Sequence, residues 1–494
     1  MPRALGPLLA ALLLAPTAHA ANRDTFPLGN QAALTAGAVT ATVTDGGALF
    51  YNPAGIASHR RQRFSLNGSA TMLILRPRDE VVVTNIDSAD STASTDVQLI
   101  SAPTAGTFSL PLARNLSASV GSFVRVRDNA GQDIEVRGLV PGTDIPAVAT
   151  VDLTGYQDEL LFAGGLGWQP TAWLRVGGAL FGAVEKEERV GRTLVSVGDV
   201  LVLNGENFRT PSGRGGGVLN EEIEQSTTRV GLEGTLGIQL HPFSGLRIGL
   251  LVRTHRFGVY EGGEKRTTRT RFWGPQERQV TSSWTGEPQS EELTVLEAPT
   301  VDGPGVQGSC PEERNPIVCV TDDEGDGLVF RVVGAPRVAF GLAWEGRRWS
   351  ISADVDYAFG LDARGLKEQQ NPILNVRVGA TGRVNDLLWL GGGLFTDRTG
   401  REPAESVLDD HMDWYGGNVG IWMRTPVSLR PDERAEDIVF SSVIALRYAA
   451  GVGGVGQAQI TVGEVGAAFE EHSVTARPSV FHEVALHIGS SLEF

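Results

Sequence analysis

The sequence predicts an all-β protein: a transmembrane antiparallel β-barrel of about 14 strands with an N-terminal hatch, or plug, in its lumen. Three observations predict it. Apolar and polar residues alternate with period two through most of the chain after Arg63. The connections between these runs are alternately short turns and long polar segments, the pattern of periplasmic turns and external loops. No run of 18 or more apolar residues offers a helix that could cross a bilayer.

The chain divides into residues 1–20 as signal peptide, 21–61 as hatch and 62–494 as barrel. Arg3 supplies a positive start, Leu8 to Ala15 a short apolar run, and Ala18-His19-Ala20 a small-x-small cleavage site. Export of this kind places the protein beyond the inner membrane of a Gram-negative cell, in its outer membrane. The strands are expected near 62–75, 97–110, 115–126, 157–169, 173–185, 226–241, 245–259, 328–345, 347–360, 371–384, 387–398, 413–424, 438–450 and 481–494. Val338, Phe340, Leu342 and Trp344 alternate with Ala339, Gly341, Ala343 and Glu345. Trp349, Ile351, Ala353, Val355 and Tyr357 alternate with Ser350, Ser352, Asp354 and Asp356. Such a strand has a different surrounding on each face. In a soluble sandwich the apolar face would point to a core. Here the other face carries Gly, Asp, Glu and Arg, and Trp344, Trp349, Trp389, Trp414 and Trp422 sit near strand ends like interfacial girdles, so the apolar face is read as lipid-facing.

Short turns are expected at 111–115, 169–172, 241–244, 345–347 and 385–386, where Pro, Asn, Asp and Gly gather. Long polar loops are expected at 76–96, 127–156, 186–225, 260–327, 399–412 and 451–480. The last strand places Val484, Leu486, Ile488, Leu492 and Phe494 on one face; an amphipathic strand closing on an aromatic is similar to the signal that the barrel-assembly machinery reads in outer-membrane proteins.

Residues 21–61 do not alternate. They are rich in Ala, Gly and Thr and contain Asp45 followed by Asn52-Pro53-Ala54-Gly55. A plug without a core of its own suits small residues, and Pro53 fixes a turn by locking its own φ and pushing Asn52 out of the helical region. This stretch resembles the hatch of the outer-membrane long-chain fatty acid and aromatic hydrocarbon transporter family (FadL/TodX-like). The resemblance implies a 14-stranded barrel plugged from the periplasmic side. It also implies passive uptake of long-chain fatty acids or other hydrophobic small molecules, with Asp45, Asn52, Pro53, Ala54 and Gly55 in the gating hatch. The alternative is a surface adhesion or structural barrel acting through its external loops.

Charges on the inward faces, Glu233, Asp354, Asp356, Arg377, Arg383 and Glu483, are expected to pair in a lumen network, because a lone buried charge is costly. His482 and His487 should be lumenal or interfacial. Cys310 and Cys319 are the two cysteines; after export a local disulfide is expected between them, bracing an external loop. Asp322 to Gly327 looks like part of a calcium loop but lacks its closing Glu, with Val333 at that position. Asp409-Asp410-His411-Met412-Asp413 reads as a solvated loop rather than an enzyme site. No catalytic motif, metal spacing or cofactor motif is present. A net charge of −16 argues against nucleic acid. The expected partners are hydrophobic small molecules, lipopolysaccharide and outer-membrane lipid, and the assembly machinery, with the barrel itself a monomer.

Overall fold

In the computed structural model, the described residues are 27–78, 82–84, 87–91, 94–139, 146–197, 216–274, 317–360, 371–400, 410–427, 438–463 and 466–494. Their strands are β1 (Arg63–Arg78), β2 (Val82–Thr84), β3 (Asp87–Ser91), β4 (Ser94–Ala113), β5 (Leu116–Leu139), β6 (Pro146–Thr171), β7 (Leu174–Val197), β8 (Gly216–Phe243), β9 (Leu246–Arg253), β10 (Arg256–Gly274), β11 (Ile317–Gly334), β12 (Arg337–Glu345), β13 (Trp349–Ala358), β14 (Ile373–Arg383), β15 (Leu388–Asp397), β16 (Asp410–Val427), β17 (Ile438–Gly463) and β18 (Gly466–Glu493). They form one 18-stranded sheet. β2 and β3 are short outer additions; β9 with β10, and β12 with β11, each share one position in the wall. The result is a 14-strand antiparallel barrel. It closes where β1 pairs with β18, Arg63 opposite Glu493. Near that seam Phe494 N donates to Gln62 O at 3.0 Å.

Burial settles which way the alternation points. Phe108, Phe162, Leu166, Leu236, Phe340, Ile351, Leu394, Val419, Ile444 and Leu486 are exposed on the outer surface, while Ser65, Asn67, Thr107, Ser119, Glu159, Gln239, Ser352 and Asp354 are buried inside. A soluble barrel would have the reverse arrangement, so the apolar surface is the lipid face. Trp168, Trp173, Trp344 and Trp349 are each about half exposed at one rim of this surface. Trp389, Trp414 and Trp422, expected in such a girdle, instead lie on the inward face: the Trp389 and Trp422 rings meet with centroids 4.8 Å apart, Trp422 packs on the cluster of Ala33 and Leu34 and Trp414 on that of Ala36 and Phe395.

Three expectations about the strands are corrected. Most strands continue beyond their expected outer ends. β8 has 28 residues, whereas crossing a bilayer takes about 9–11. The reason is visible on β6. Below Glu159 its outward residues are apolar, as in Leu160, Phe162, Leu166 and Trp168. Above it Asp152 and Thr154 point out to water, while Ala147, Ala149, Val151 and Leu153 are buried on the inner side. The alternation changes sign at the membrane surface, and the charged outer part reads as loop. The expected long connection 451–480 accordingly contains strand on both sides, with Gly463 opposite Gly466. Asp322–Gly327 lies within β11, paired with β10, where Glu324 faces Glu264; an extended paired backbone is not a calcium loop. The expected strands 245–259 and 328–345 are each interrupted, at Thr254–His255 and Ala335–Pro336, where Pro336 has no N–H to give a ladder. Residues 1–26 and Cys310 lie outside the described residues, so the signal peptide and the Cys310–Cys319 disulfide remain expectations.

Candidate functional site

Residues 27–59 fill the barrel interior. They form two short helices, α1 (Asn30–Leu34) and α2 (Ala48–Tyr51), and a 3-10 turn, Pro53–Ser58. The chain reverses between them through Ala36 and Gly37, with φ of +53° and +81°. The left-handed region costs glycine little and an alanine roughly 1 kcal/mol. The Asp45 carboxylate accepts from Gln31 N at 2.7 Å and Gly47 N at 2.9 Å, joining the two helical pieces. Burial raises the Asp45 pKa, opposed by these amides and by the charge of Arg63. His59 Nε2 lies 2.9 Å from Thr44 O, so its neutral form carries the Nε2 proton and donates it. Burial, and after it the charge of Arg63, pushes the His59 pKa down to about 3.

Asn52 does two things. Its Oδ1 accepts from Ala54 N at 3.1 Å, capping the 3-10 turn that Pro53 begins. Its Nδ2 donates to Thr40 O at 2.8 Å and to Ile238 O of the wall at 3.2 Å. Ala54 and Gly55 are fully buried beside it. Gly55 packs against Val43 O, and the wall answers with glycines of its own: a Cβ on Gly177 would overlap Pro53 O, and one on Gly237 would overlap Asn52 Oδ1. Small residues on both surfaces let two backbones touch.

Single polar side chains of the wall hold this segment. Asp354 Oδ2 accepts from Val39 N and Thr40 N, both at 2.7 Å. Ser352 Oγ donates to Ala38 O at 2.6 Å, Gln239 Nε2 to Val43 O at 3.1 Å, and Arg253 Nη2 to Phe50 O at 3.2 Å. Asn418 Nδ2 donates to Ala33 O.

The expected lumen charges thus fall into separate groups. Asp354 binds the hatch. Asp356 faces Arg377 at 3.8 Å and Arg337 at 3.9 Å. Glu483 pairs with Arg447 at 3.0 Å. Glu233 pairs with Arg253 at 3.0 Å and Arg256 at 3.3 Å. Arg383 is a correction: it ends β14 at a turn, 40% exposed, pairs with Asp386 at 2.5 Å and lies over Trp389. Of the six, only Asp356 and Arg377 meet each other in these pairs. His487 is buried inside, while His482 Nδ1 meets Tyr448 OH at 3.0 Å on an exposed face. The side chains of Asp410 and His411 lie outside the described residues; Asp413 accepts from Thr399 N at 2.9 Å.

Two features were not anticipated. One is an aromatic cluster between the hatch and the wall. Phe50 packs against Phe123 at 5.8 Å and Phe181 at 6.3 Å between centroids, joined by Leu49, Tyr51, Leu161, Ala163 and Ala183. The other is the set of charges around the expected Glu233, namely Arg125, Glu159, Arg253 and Arg256, all five 1–6% exposed. Its signal in the sequence is a charge set among apolar residues, as in Leu250-Leu251-Val252-Arg253. On the opposite side of the hatch, a cavity of about 20 Å³ is lined by Tyr51, Arg377, Phe395, Asp397, Asn418 and Arg447.

No family profile and no curated protein sequence matches the chain. Solved structures do. A FadL homologue from Pseudomonas aeruginosa aligns with a TM-score of 0.52 at 10% identity, covering 95% of this chain and 99% of that one. The toluene transporter TodX of P. putida gives 0.47 at 12% identity, covering 95% and 98%. The toluene transporter TbuX of Ralstonia pickettii gives 0.45 at 14% identity, covering 96% and 99%. At these identities the likeness is one of fold, and the chain has the fold of the FadL homologue.

Proposed function

We propose that this barrel, FadL-like in fold, is an outer-membrane channel for passive uptake of long-chain fatty acids or other hydrophobic small molecules, gated by movement of the N-terminal hatch. The observation that carries the reading is how the lumen is blocked. Residues 27–59 plug it through a handful of side-chain hydrogen bonds, with no strand of the plug joined to the wall, so the plug can shift without unzipping the barrel. Part of the plug's contact with the wall is an apolar, aromatic surface of Phe50, Phe123, Leu161 and Phe181, which movement of the plug would open to a hydrophobic solute. The barrel shares its fold with a FadL homologue, and the transporter family that residues 21–61 resemble carries hydrophobic small molecules, which supports a hydrophobic cargo.

The test uses a hatch that can be locked and released. A Cβ on Gly341 would lie 2.9 Å from Thr40 Cβ and 2.5 Å from Asp354 Oδ1, so the hatch and wall backbones must part by about 1 Å to reach the roughly 3.8 Å Cβ spacing of a disulfide. An outer-membrane host lacking its own such transporter would carry the wild type or the Thr40→Cys, Gly341→Cys pair, at matched surface expression. Uptake of labelled oleate and labelled toluene would be followed with and without reductant. Uptake by the wild type, loss in the oxidised pair and recovery on reduction is the expected result. Uptake that persists with the hatch locked removes the gating, and a folded wild type that takes up neither solute removes the channel.

A further inference from the structure

The short-turn mouth of the barrel gathers cations on its lumen face. On β7, Arg175 stands opposite Gln239, the buried wall residue that donates to Val43 O, so Arg175 points inward. His241 lies two residues beyond Gln239 on β8. On β9, Arg247 stands opposite the buried Ala343 of β12, and Glu345 lies two residues beyond Ala343. Residues two apart share a face of a strand. The 3-10 turn of the hatch rests directly inward of this ring. A Cβ on Gly177 would overlap Pro53 O, and one on Gly167 would overlap Ala57 N; these glycines are one inward position from Arg175 and from Gln169. Arg60, where the chain leaves the hatch, closes the ring by donating from Nη2 to Gln169 Oε1 at 2.7 Å.

Like charges crowd here. Arg175 lies in the field of Arg247 and Arg60, and Glu345 is the one carboxylate acting on it among the described residues. That carboxylate is engaged elsewhere, by Arg247 Nη2 at 2.5 Å. His241 Nε2 sits 3.4 Å from Arg247 Nη1 and also in the field of Arg175. Arg175 Nε and Nη1 are buried without a hydrogen-bond partner. The chain as a whole carries −16, so its composition does not account for this excess of cations at one mouth. Buried charged donors without acceptors, beside further guanidinium groups, are costly until an anion joins them.

We propose that this ring is an oxyanion site on the mouth side of the hatch, in which Arg175, with Arg60 and Arg247, takes a carboxylate or phosphate group. Guanidinium groups suit both oxyanions and form their stronger, charge-assisted hydrogen bonds with them. Arg60 belongs to the segment leaving the hatch while Arg175 and Arg247 belong to the wall, so a bound oxyanion joins the two. That the oxyanion is the headgroup of a departing amphipathic solute rests on the channel reading above; that the ring binds an oxyanion does not.

Hydrogen exchange of the full chain in neutral maltoside micelles, at low ionic strength, tests it. The probes are octanoate, octyl phosphate, octanol and inorganic phosphate, and the wild type is compared with Arg175→Gln. Octanoate or octyl phosphate is expected to slow exchange at 57–62 and 240–247, by up to about tenfold at ten times its dissociation constant. Octanol should not, and Arg175→Gln should lose the effect. With no anion present the variant should exchange there no faster than the wild type, because it removes a crowded charge whose Nε and Nη1 bond nothing. Protection by the tailed anions alone assigns the site to a headgroup, carboxylate or phosphate by the tighter probe; equal protection by inorganic phosphate assigns it to the free ion. Protection by octanol equal to that by octanoate, protection that survives Arg175→Gln, or faster exchange in the anion-free variant overturns the oxyanion site. The wild-type comparison of octanoate with octanol carries the test if the variant does not fold. No transport is measured, so a failure here leaves the uptake reading standing, and failed uptake leaves the oxyanion site standing.

Discussion

The two sides of the lumen hold the hatch by different physics. Against β5–β8 the contact is mainly dry: Leu49, Phe50, Tyr51 and Ile56 pack on Phe123, Leu161, Ala163, Phe181 and Ala183, with single bonds at its edges from Gln239 to Val43 O and Ser117 to His59 O. Against β12–β18 and β1 it is more polar, with smaller apolar patches where Leu34 meets Val443 and Ala445 and Ala36 meets Phe395. Asp354, Ser352 and Asn418 bond the hatch backbone, a small cavity opens between Arg377 and Arg447, and Asn30 Oδ1, Asn67 Oδ1 and both His487 ring nitrogens are buried without a hydrogen-bond partner. Apolar contact is adhesive but non-directional, so a plug could slide on it. Hydrogen bonds to single backbone groups fix register. The dry side supplies most of the hold and the polar side decides where the hatch sits.

That division can be broken from either side. The largest loss is expected from Phe50→Ala, which empties the centre of the dry contact and frees Arg253. It should weaken hatch docking by about 3–5 kcal/mol, read as exchange in 46–53 approaching that of an undocked peptide. Asp354→Ala attacks the polar side and leaves Val39 N and Thr40 N buried without acceptors. About 3 kcal/mol is expected, with the faster exchange confined to 36–43. If each variant instead loosens the whole hatch equally, the two sides act as one unit and the comparison fails.

A smaller effect separates adhesion from register. Asn52→Ala removes the cap of the 3-10 turn and the bonds to Thr40 and Ile238, at a cost of about 1–2 kcal/mol. The aromatic packing is left in place. The expected signature is a hatch that stays docked in a shifted position, seen as altered cross-linking of the Thr40→Cys, Gly341→Cys pair with little change in overall exchange.

The same division explains what could be read from the sequence. The wall was legible because lipid on one face and lumen on the other impose strict alternation, as in Val338 to Trp344. Asn52 and Pro53 were legible because their turn chemistry is local. The outer parts of β5–β8 were not, since above the membrane the polar face turns outward and Asp152 or Glu188 looks like loop. Arg383 was assigned to the lumen by parity alone, which does not say that a strand has reached its turn. The Glu233, Arg253 and Arg256 cluster depends on pairing across three strands and on a break that Pro336 hints at but does not place. Asp354 was picked out as a charge on the right face, but its partners are backbone amides some 315 residues away in sequence, which no local pattern encodes.

The smallest expected effect is one of pH, and it sharpens the comparison because it acts where the hatch leaves the lumen. His59 is neutral when docked, its pKa lowered from 6.5 to about 3. A depressed pKa in the docked state contributes stability that is present above about 6.5 and is lost as pH falls toward 3. Going from pH 7 to 6 should cost about 0.7 kcal/mol, roughly a threefold rise in hatch exchange. Asp45, whose pKa is raised, works the other way: its contribution is full below 3.8 and fades as pH rises through its docked value, so it offsets part of the loss at lower pH. Substituting His59→Gln keeps an N–H donor near Thr44 O and removes the titration. The variant should show a flat hatch exchange between pH 7 and 6 where the wild type rises, after correction for the intrinsic pH dependence of exchange. Because His59 O is also held by Ser117 Oγ of β5 at 2.8 Å, the acid effect should begin at residues 56–60 and reach the Asp354-held segment last. Simultaneous loosening of both would mean that protonation undoes the polar seat directly, and that the two sides are coupled through His59 rather than through the aromatic contact.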